Sequence, residues 1–114
     1  MWRATINSCN GFVFAVRSEQ AIREELVALV LALPAAWLVG ATVMRRVELV
    51  CAVALLLVVE LLNTAIEKLA DRLTTDHDLQ IGRVKDLSSA AVGVALIMAG
   101  LFWLFASAER IGAI

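Results

Sequence analysis

A row of polar side chains interrupts the second long apolar stretch of this 114-residue chain. Its members recur every three or four residues and are Glu60, Asn63, Glu67 and Asp71. Residues with this spacing lie on one face of an α-helix. Carboxylates there can bind Mg²⁺, and a carboxylate can also accept a proton as a general base. The pattern therefore predicts an apolar helix with one polar face that is suited to metal-assisted chemistry.

Glu60 lies at an unusual depth in this stretch. Counted from Val47 at 1.5 Å per residue, it lies about 20 Å along the helix. That position is roughly 10 Å inside the edge of a hydrocarbon core that is ~30 Å thick. A charge at mid-membrane costs about 2.5–3.5 kcal/mol on insertion scales, and such residues usually mark function. The outer charged residues also fit a solvated helix end that is held by local ion pairs. These are Glu67, Lys68, Asp71 and Arg72.

Two further groups of polar residues flank the other apolar runs. Lys85, Asp86 and Ser89 share one helical turn before the third run, where the lysine can contact nucleotide phosphates or extend its ammonium to the membrane surface. Three glutamates precede the first run, at a helix start where the dipole favours carboxylates. They are Glu19, Glu24 and Glu25.

Three helices are needed to position these residues. Residues 26–44, 47–70 and 87–108 are apolar over about the length that crosses a bilayer. Residues 1–23 instead predict an amphipathic helix on the membrane surface, with a frayed tail as the alternative. Its apolar residues recur at helical spacing and are Trp2, Ile6, Cys9, Val13 and Val16. The chain is thus predicted to be an all-α membrane protein with a single domain over residues 1–114.

Composition and charge support this class and exclude another. The chain is 61% hydrophobic, which is too apolar for a small soluble domain. A formal net charge of −1 argues against a nucleic-acid partner. Lys and Arg are more numerous around the N-terminus and around the connection between the second and third spans. The positive-inside rule therefore places the N-terminus and that connection in the cytoplasm.

The predicted cytoplasmic side carries the groups that phosphoryl transfer requires. It has carboxylates for Mg²⁺, a lysine for phosphates and one membrane-embedded glutamate that can accept the proton of an attacking hydroxyl. The sequence has no G-x-x-x-x-G-K-[ST] loop and no H-R-D or D-F-G motif. The motifs of soluble kinases therefore give no guidance to the substrate.

Two blocks of sequence resemble those of the bacterial diacylglycerol kinase family. E-L-L-N-T-A-I-E-K-L-A-D at residues 60–71 is similar to the signature of that family, and G-R-V-K-D-L-S-S-A-A-V at residues 82–92 is similar to its second block. The resemblance covers about residues 18–108. It implies a homotrimeric lipid kinase of the bacterial inner membrane, with composite active sites at the cytoplasmic interface.

The resemblance also implies a reaction and a set of site residues. The reaction is transfer of phosphate from ATP to diacylglycerol, which forms phosphatidic acid. Glu60 matches the general base, while Glu19 and Glu67 match the ligands of the Mg²⁺ that bridges the ATP phosphates. The nucleotide would also lie near Asp76, Asp78, Lys85 and Asp86. The lipid would lie near Glu60, Asn63 and Ser89.

Two other functions compete with this interpretation. An undecaprenol kinase of the same family shares the acidic motif, although the block at residues 82–92 looks more like the diacylglycerol branch. A small multidrug-type transporter would explain Glu60, but it would not explain Lys85 and usually has four spans.

Homotrimer formation has separate support, because the small residues at Ser89–Gly93 and Ala95–Ala99 allow helices to approach closely.

Overall fold

The computed structural model describes residues 1–73 and 78–114, and these residues form four α-helices. In chain order they are α1 (Trp2–Ser18), α2 (Gln20–Val39), α3 (Val43–Leu73) and α4 (Leu79–Arg110). The most extensive packing is between α3 and α4, followed by that between α2 and α3. We call the end where α3 ends and α4 begins the proximal end, and the opposite end the distal end. The all-α prediction is confirmed.

The break between α1 and α2 lies at Glu19, earlier than the predicted end of the surface helix at residue 23. Glu19 has extended backbone angles, with φ −122° and ψ 117°. The Arg23 guanidinium donates to the carbonyls of Val16 and Arg17, at 2.9 and 3.2 Å, and so satisfies acceptors that the end of α1 leaves open. Ile22 is fully buried, which fixes the first turn of α2 against the core. The chain therefore changes direction at Glu19.

A tight turn joins α2 to α3 at the distal end. Gly40 follows α2, and a Cβ at this position would lie 2.6 Å from Arg46 Cγ and 2.9 Å from the carbonyl oxygen of Ala36. The Thr42 hydroxyl accepts a hydrogen bond from the Arg45 amide at 3.1 Å and so caps the start of α3. Arg45 and Arg46 therefore belong to the first turn of α3. The first apolar segment ends before them at Val39, and not at residue 44 as predicted.

Two helices, α3 and α4, are long and apolar enough to cross a membrane. They contain 31 and 32 residues, whereas about 20 residues suffice for a ~30 Å core, so each can also extend beyond the hydrocarbon. In α2, the uncharged part is limited to residues 26–39, which is shorter than a full span. The third span therefore stays a prediction.

Small apolar cores hold the helices together at each end. The proximal core joins α1, α2 and α3, and the distal core joins α2, α3 and α4. Their buried residues are Ala15, Ile22 and Leu57 at the proximal end and Ala36, Leu49 and Ala106 at the distal end. Along α4 the buried positions include Ala95 and Ala99, whose small side chains allow close approach of α3.

Most of the large apolar side chains lie outside these cores. The chain exposes 8146 Å², whereas a soluble protein of 12.3 kDa exposes about 6,100 Å². The radius of gyration is 17.0 Å, against about 13 Å for a compact soluble domain of this length. Exposed residues along α2 and α4 include Leu31, Trp37, Leu96 and Phe105. Lipid or further copies of the chain must cover this surface.

Candidate functional site

The proximal end brings together most of the predicted site residues. Glu19 lies between α1 and α2, Asn63 and Glu67 lie on α3, and Lys85 lies near the start of α4. Ion pairs and hydrogen bonds connect these elements to one another. The candidate site is therefore built from three parts of the chain that are distant in sequence.

Asn63 is bonded on both sides within this cluster. Its Nδ2 donates to Oε1 of Glu67 at 3.3 Å, one helical turn along α3. Its Oδ1 accepts a hydrogen bond from the Ser88 hydroxyl of α4 at 2.7 Å. The shared face of Asn63 and Glu67 follows the predicted spacing. The contact from Ser88 is one that the sequence analysis missed.

Glu19 is paired with a cation of α3. Its Oε1 lies 2.9 Å from Nζ of Lys68. The same ammonium lies 5.1 Å from the centre of the Phe14 ring, which belongs to α1. Lys68 thus joins α1 and the break residue Glu19 to α3. The sequence analysis had assigned Lys68 only to a solvated helix end.

Lys85 forms an ion pair with Asp71. This pair links the first turns of α4 to the last turns of α3, close to the connection between them. Lys85 is partly exposed and Asp71 is exposed. The ammonium can therefore reach an anion that approaches from solvent, with Asp71 as its partner in the absence of one.

Glu60 is half-buried on α3, two helical turns before Glu67. Across the bundle, the charge of Glu60 acts on Glu25, near the start of α2. Burial, and then the charge of Glu60 and that of Glu24, raise the pKa of the Glu25 carboxyl above its ordinary value of 4.5. The sequence analysis assigned Glu25 only to a charged helix start and did not predict its interaction with Glu60.

The remaining predicted residues lie outside the bonded cluster. Asp78 caps α4, where its Oδ1 accepts from the amides of Gln80 and Ile81 at 2.9 and 3.1 Å. Asp86 and Ser89 are exposed on α4. The predicted nucleotide contact Asp76 lies outside the described residues.

The chemistry of the cluster fits a bound divalent cation together with phosphates. Within residues 1–73 and 78–114, no group of three His, Cys, Asp or Glu side chains is placed to hold a metal ion alone. Mg²⁺ in phosphate-transfer sites typically needs only one or two carboxylates, because the phosphates supply other ligands. The Lys68 ammonium is a cation that already pairs with the carboxylate of Glu19, one of the two predicted metal ligands. The carboxylates of Glu19 and Glu67 are therefore each of the ligand type that such an ion binds.

Two apolar grooves open beside this cluster. One, of about 510 Å³, lies between α1 and α3, and Lys68 lines it. The other, of about 480 Å³, lies between α3 and α4, and Ser88 lines it. The candidate site thus combines charged groups with adjoining surfaces that can accept hydrocarbon.

Comparison with known proteins identifies the relatives of this chain. A family model described as prokaryotic diacylglycerol kinase matches residues 6–107. The diacylglycerol kinase of Escherichia coli strain K12 is 40% identical over 96 residues, which are 84% of this chain and 79% of that protein. The Haemophilus influenzae diacylglycerol kinase is 33% identical over 100 residues, 88% of this chain and 85% of that protein. The Pseudomonas aeruginosa diacylglycerol kinase is 36% identical over 100 residues, 88% and 81% of the two chains.

The family model covers most of the chain, including both sequence blocks on which the resemblance was based. The alignments with the three relatives also cover most of the length of those proteins. The predicted resemblance is confirmed, and the transporter alternative loses its support. The chain belongs to the prokaryotic diacylglycerol kinase family.

Proposed function

We propose that this chain transfers the γ-phosphoryl group of ATP to the hydroxyl of diacylglycerol, which yields phosphatidic acid at the cytoplasmic face of the bacterial inner membrane. The observation that carries the proposal is the polar face of α3. It runs from Glu60, inside the apolar part of the helix, to Glu67 and Asp71 near its proximal end. A lipid hydroxyl at the membrane surface and a water-soluble nucleotide can meet along such a face.

Glu19 and Glu67 would hold Mg²⁺ in this reaction. The bound ion would neutralise charge on the β- and γ-phosphates of ATP. Lys68 would have to move away from the Glu19 carboxylate when the nucleotide-bound cation arrives. Asn63 keeps Glu67 oriented through its 3.3 Å hydrogen bond.

Glu60 would receive the proton of the lipid hydroxyl as that oxygen attacks the γ-phosphorus. A general base must lie within hydrogen-bond reach of the group that it deprotonates. The position of Glu60 within the apolar part of α3 supports this role, because a membrane lipid can approach it there. Lys85, released from Asp71, would contact the nucleotide, with Asp86, Asp78 and Asp76 near the same substrate.

The acyl chains of the lipid would occupy apolar surface beside the cluster. The groove between α1 and α3 is lined mainly by apolar residues, and the charged Lys68 also lines it. This combination suits a lipid whose acyl chains contact apolar surface while its hydroxyl end approaches the polar face of α3. Ser89, which is exposed on α4, would contact the lipid from the other side.

The functional form would be a homotrimer with its N-terminus in the cytoplasm. The large exposed apolar surface supports association in the membrane. Ala95 and Ala99 are buried within one chain, so this pair of small residues already serves the α3–α4 contact. In the other predicted pair, Ser89 is exposed and Gly93 is partly exposed, so both are accessible to a neighbouring copy. The distribution of Lys and Arg supports the orientation.

Transfer of labelled γ-phosphate from Mg·ATP to dioleoylglycerol tests the proposal. The purified wild type should form phosphatidic acid, and Glu60→Gln should abolish turnover while ATP still binds. Glu48→Gln is the matched control, because Glu48 is also a glutamate of α3 but pairs with Arg45 at the distal end. Retained turnover in Glu60→Gln would remove Glu60 from the base role. Faster phosphorylation of undecaprenol than of diacylglycerol would reverse the lipid assignment.

A further inference from the structure

Ser88 contacts the polar face of α3 from the adjacent helix. It is one of two buried polar residues among the described part of the chain, with 8% of its surface exposed. Its hydroxyl lies 2.7 Å from Asn63 Oδ1 and 3.1 Å from the carbonyl oxygen of Lys85. Ser88 is therefore the point at which α4 reaches the Asn63–Glu67 pair.

The direction of these hydrogen bonds follows from the chemistry of the partners. A carboxylate can only accept, so the Asn63 atom that faces Glu67 must be the donor Nδ2. The carboxamide oxygen then faces Ser88, and the hydroxyl must donate to it. Rotation of the carboxamide by 180° would place two oxygens against each other at Glu67. The arrangement is consistent in only this one orientation.

Other serines of the chain show what a helical hydroxyl does without such a partner. Ser107 donates to the carbonyl of Trp103 at 2.8 Å, and Ser18 donates to that of Phe14 at 2.8 Å. This local bond to the preceding turn is the usual one for serine in a helix. Ser88 instead makes its shorter contact across to α3. Its hydroxyl is thus used between helices and not only within α4.

We propose that Ser88 is a positioning residue of the kinase, one that acts through Asn63 on the Glu67 carboxylate. The hydroxyl fixes the carboxamide, the carboxamide presents Nδ2 to Glu67, and Glu67 is thereby oriented toward the cation that accompanies the nucleotide. This inference rests on the proposed function for the role of Glu67. It assigns to Ser88 a task distinct from the lipid contact that the resemblance implies for Ser89.

The orientation of Asn63 can be observed without any turnover. The chain has only five side-chain carboxamides, so their NH₂ signals can be assigned by substitution in a ¹⁵N-labelled sample in detergent. They belong to Asn7, Asn10, Gln20, Asn63 and Gln80. Ser88→Ala should shift the Asn63 pair and leave the others in place. Ser107→Ala removes a hydroxyl from the same helix and should leave all five unchanged. Coincident Asn63 signals in wild type and Ser88→Ala would overturn the inference.

Kinetics test the consequence for the nucleotide. Loss of one hydrogen bond between neutral groups predicts that Ser88→Ala raises the half-saturating Mg·ATP concentration roughly 3- to 10-fold, with little change in kcat. In an Asn63→Ala background the same change should have almost no further effect, because the two residues act in one chain of contacts. Equal effects in both backgrounds would overturn the inference.

The NMR and kinetic experiments together distinguish failure of this inference from failure of the proposed function. A wild type that forms no phosphatidic acid would refute the proposed function, while the NMR comparison would still decide whether Ser88 orients Asn63. An active wild type with unchanged Asn63 signals in Ser88→Ala would refute the role of Ser88 and leave the proposed function standing.

Discussion

Among the described residues, Asn63 of the same helix is the hydrogen-bond partner of Glu67. Glu67 is exposed, and its Oε1 accepts the hydrogen bond from Asn63. An exposed carboxylate that is oriented, and that forms no ion pair with the residues the structure describes, suits a ligand for Mg·ATP. Glu19, by contrast, already forms an ion pair with the Lys68 ammonium. The two predicted metal ligands therefore differ in what must happen before the cation binds.

We predict that Glu67→Gln weakens the binding of Mg·ATP. The amide keeps the shape of the side chain but removes the charge that binds the cation, so the half-saturating Mg·ATP concentration should rise roughly 10-fold or more. Titration of Mn²⁺ with a non-hydrolysable ATP analogue, followed by electron paramagnetic resonance, measures this directly. Glu24→Gln removes an exposed carboxylate outside the cluster and should bind normally. Equal affinities of wild type and Glu67→Gln would exclude Glu67 as a ligand.

Glu25 predicts a dependence of stability on pH. Because its pKa is raised above 4.5, the folded chain binds this proton more tightly than the unfolded chain does. The contribution of Glu25 to stability is then complete below pH 4.5 and is lost as the pH rises through the raised pKa. Glu25→Gln should flatten this part of the profile and increase stability at neutral pH. Thermal unfolding in one detergent, from acid to neutral pH, measures the difference.

The comparison for that measurement is Glu24→Gln. The charge of Glu24 is the smallest of the three causes of the Glu25 shift, so most of the pH dependence should survive its removal. A Glu25→Gln profile that runs parallel to that of the wild type over the same window would contradict the prediction.

The residues of the candidate site differ in how well the sequence predicts their contacts. Asn63 and Glu67 were placed together correctly because helical spacing is a local property. Ser88 and Ser89 are adjacent and chemically identical, and a rotation of about 100° between them decides which one faces α3. The apolar pattern around them does not fix that rotation. The interaction of Glu25 with Glu60 was not predicted for a similar reason, since it depends on how α2 packs against α3.

Among the elements, α1 depends on a few contacts to the rest of the chain. Ala15 is its buried residue, and the contacts of Lys68 with Glu19 and Phe14 add an ion pair and a cation–π interaction. Partly exposed contacts of this kind contribute about 0.2–1 kcal/mol each. The position of α1 is therefore controlled by a weak and reversible attachment.

We predict that Lys68→Ala loosens α1. Loss of both contacts should speed hydrogen exchange of the α1 backbone amides several-fold, while exchange in the centre of α3 and α4 stays unchanged. Arg72→Ala removes a cation from the same end of α3 and serves as the control. Identical exchange of α1 in Lys68→Ala and wild type would show that the apolar contacts alone hold the helix.

Helix boundaries were the least predictable property of the elements. The apolar run through residue 44 concealed the turn at Gly40, because Gly, Ala and Thr are uncharged and hydropathy does not distinguish them from a continuing span. The geometry at Gly40 depends on the approach of Arg46, six residues later. The break at Glu19 similarly depends on Arg23, whose guanidinium reaches back to the end of α1.

For the whole molecule, the exposed surface predicts association. The single chain presents far more apolar area than a soluble protein of its mass, and only part of it can face lipid if the polar face of α3 is also to be enclosed. We predict three copies in native mass spectrometry from detergent. Substitution of Gly93 by Leu should reduce the trimer fraction, and the same change at the exposed position Val94 should not. A monomer as the only species in wild type would contradict the prediction.

The position of Glu19 has a consequence for the membrane in which the protein resides. This residue is both the joint between α1 and α2 and a carboxylate of the candidate site. Any tilt of α1 relative to α2 carries the carboxylate with it. Because α1 exposes Trp2, Phe12 and Phe14, we expect its tilt to respond to how tightly the surrounding headgroups pack. We therefore expect lateral pressure in the leaflet to change the position of the Glu19 carboxylate in the candidate site. Accumulation of the product in that leaflet would then change the rate at which more product is formed.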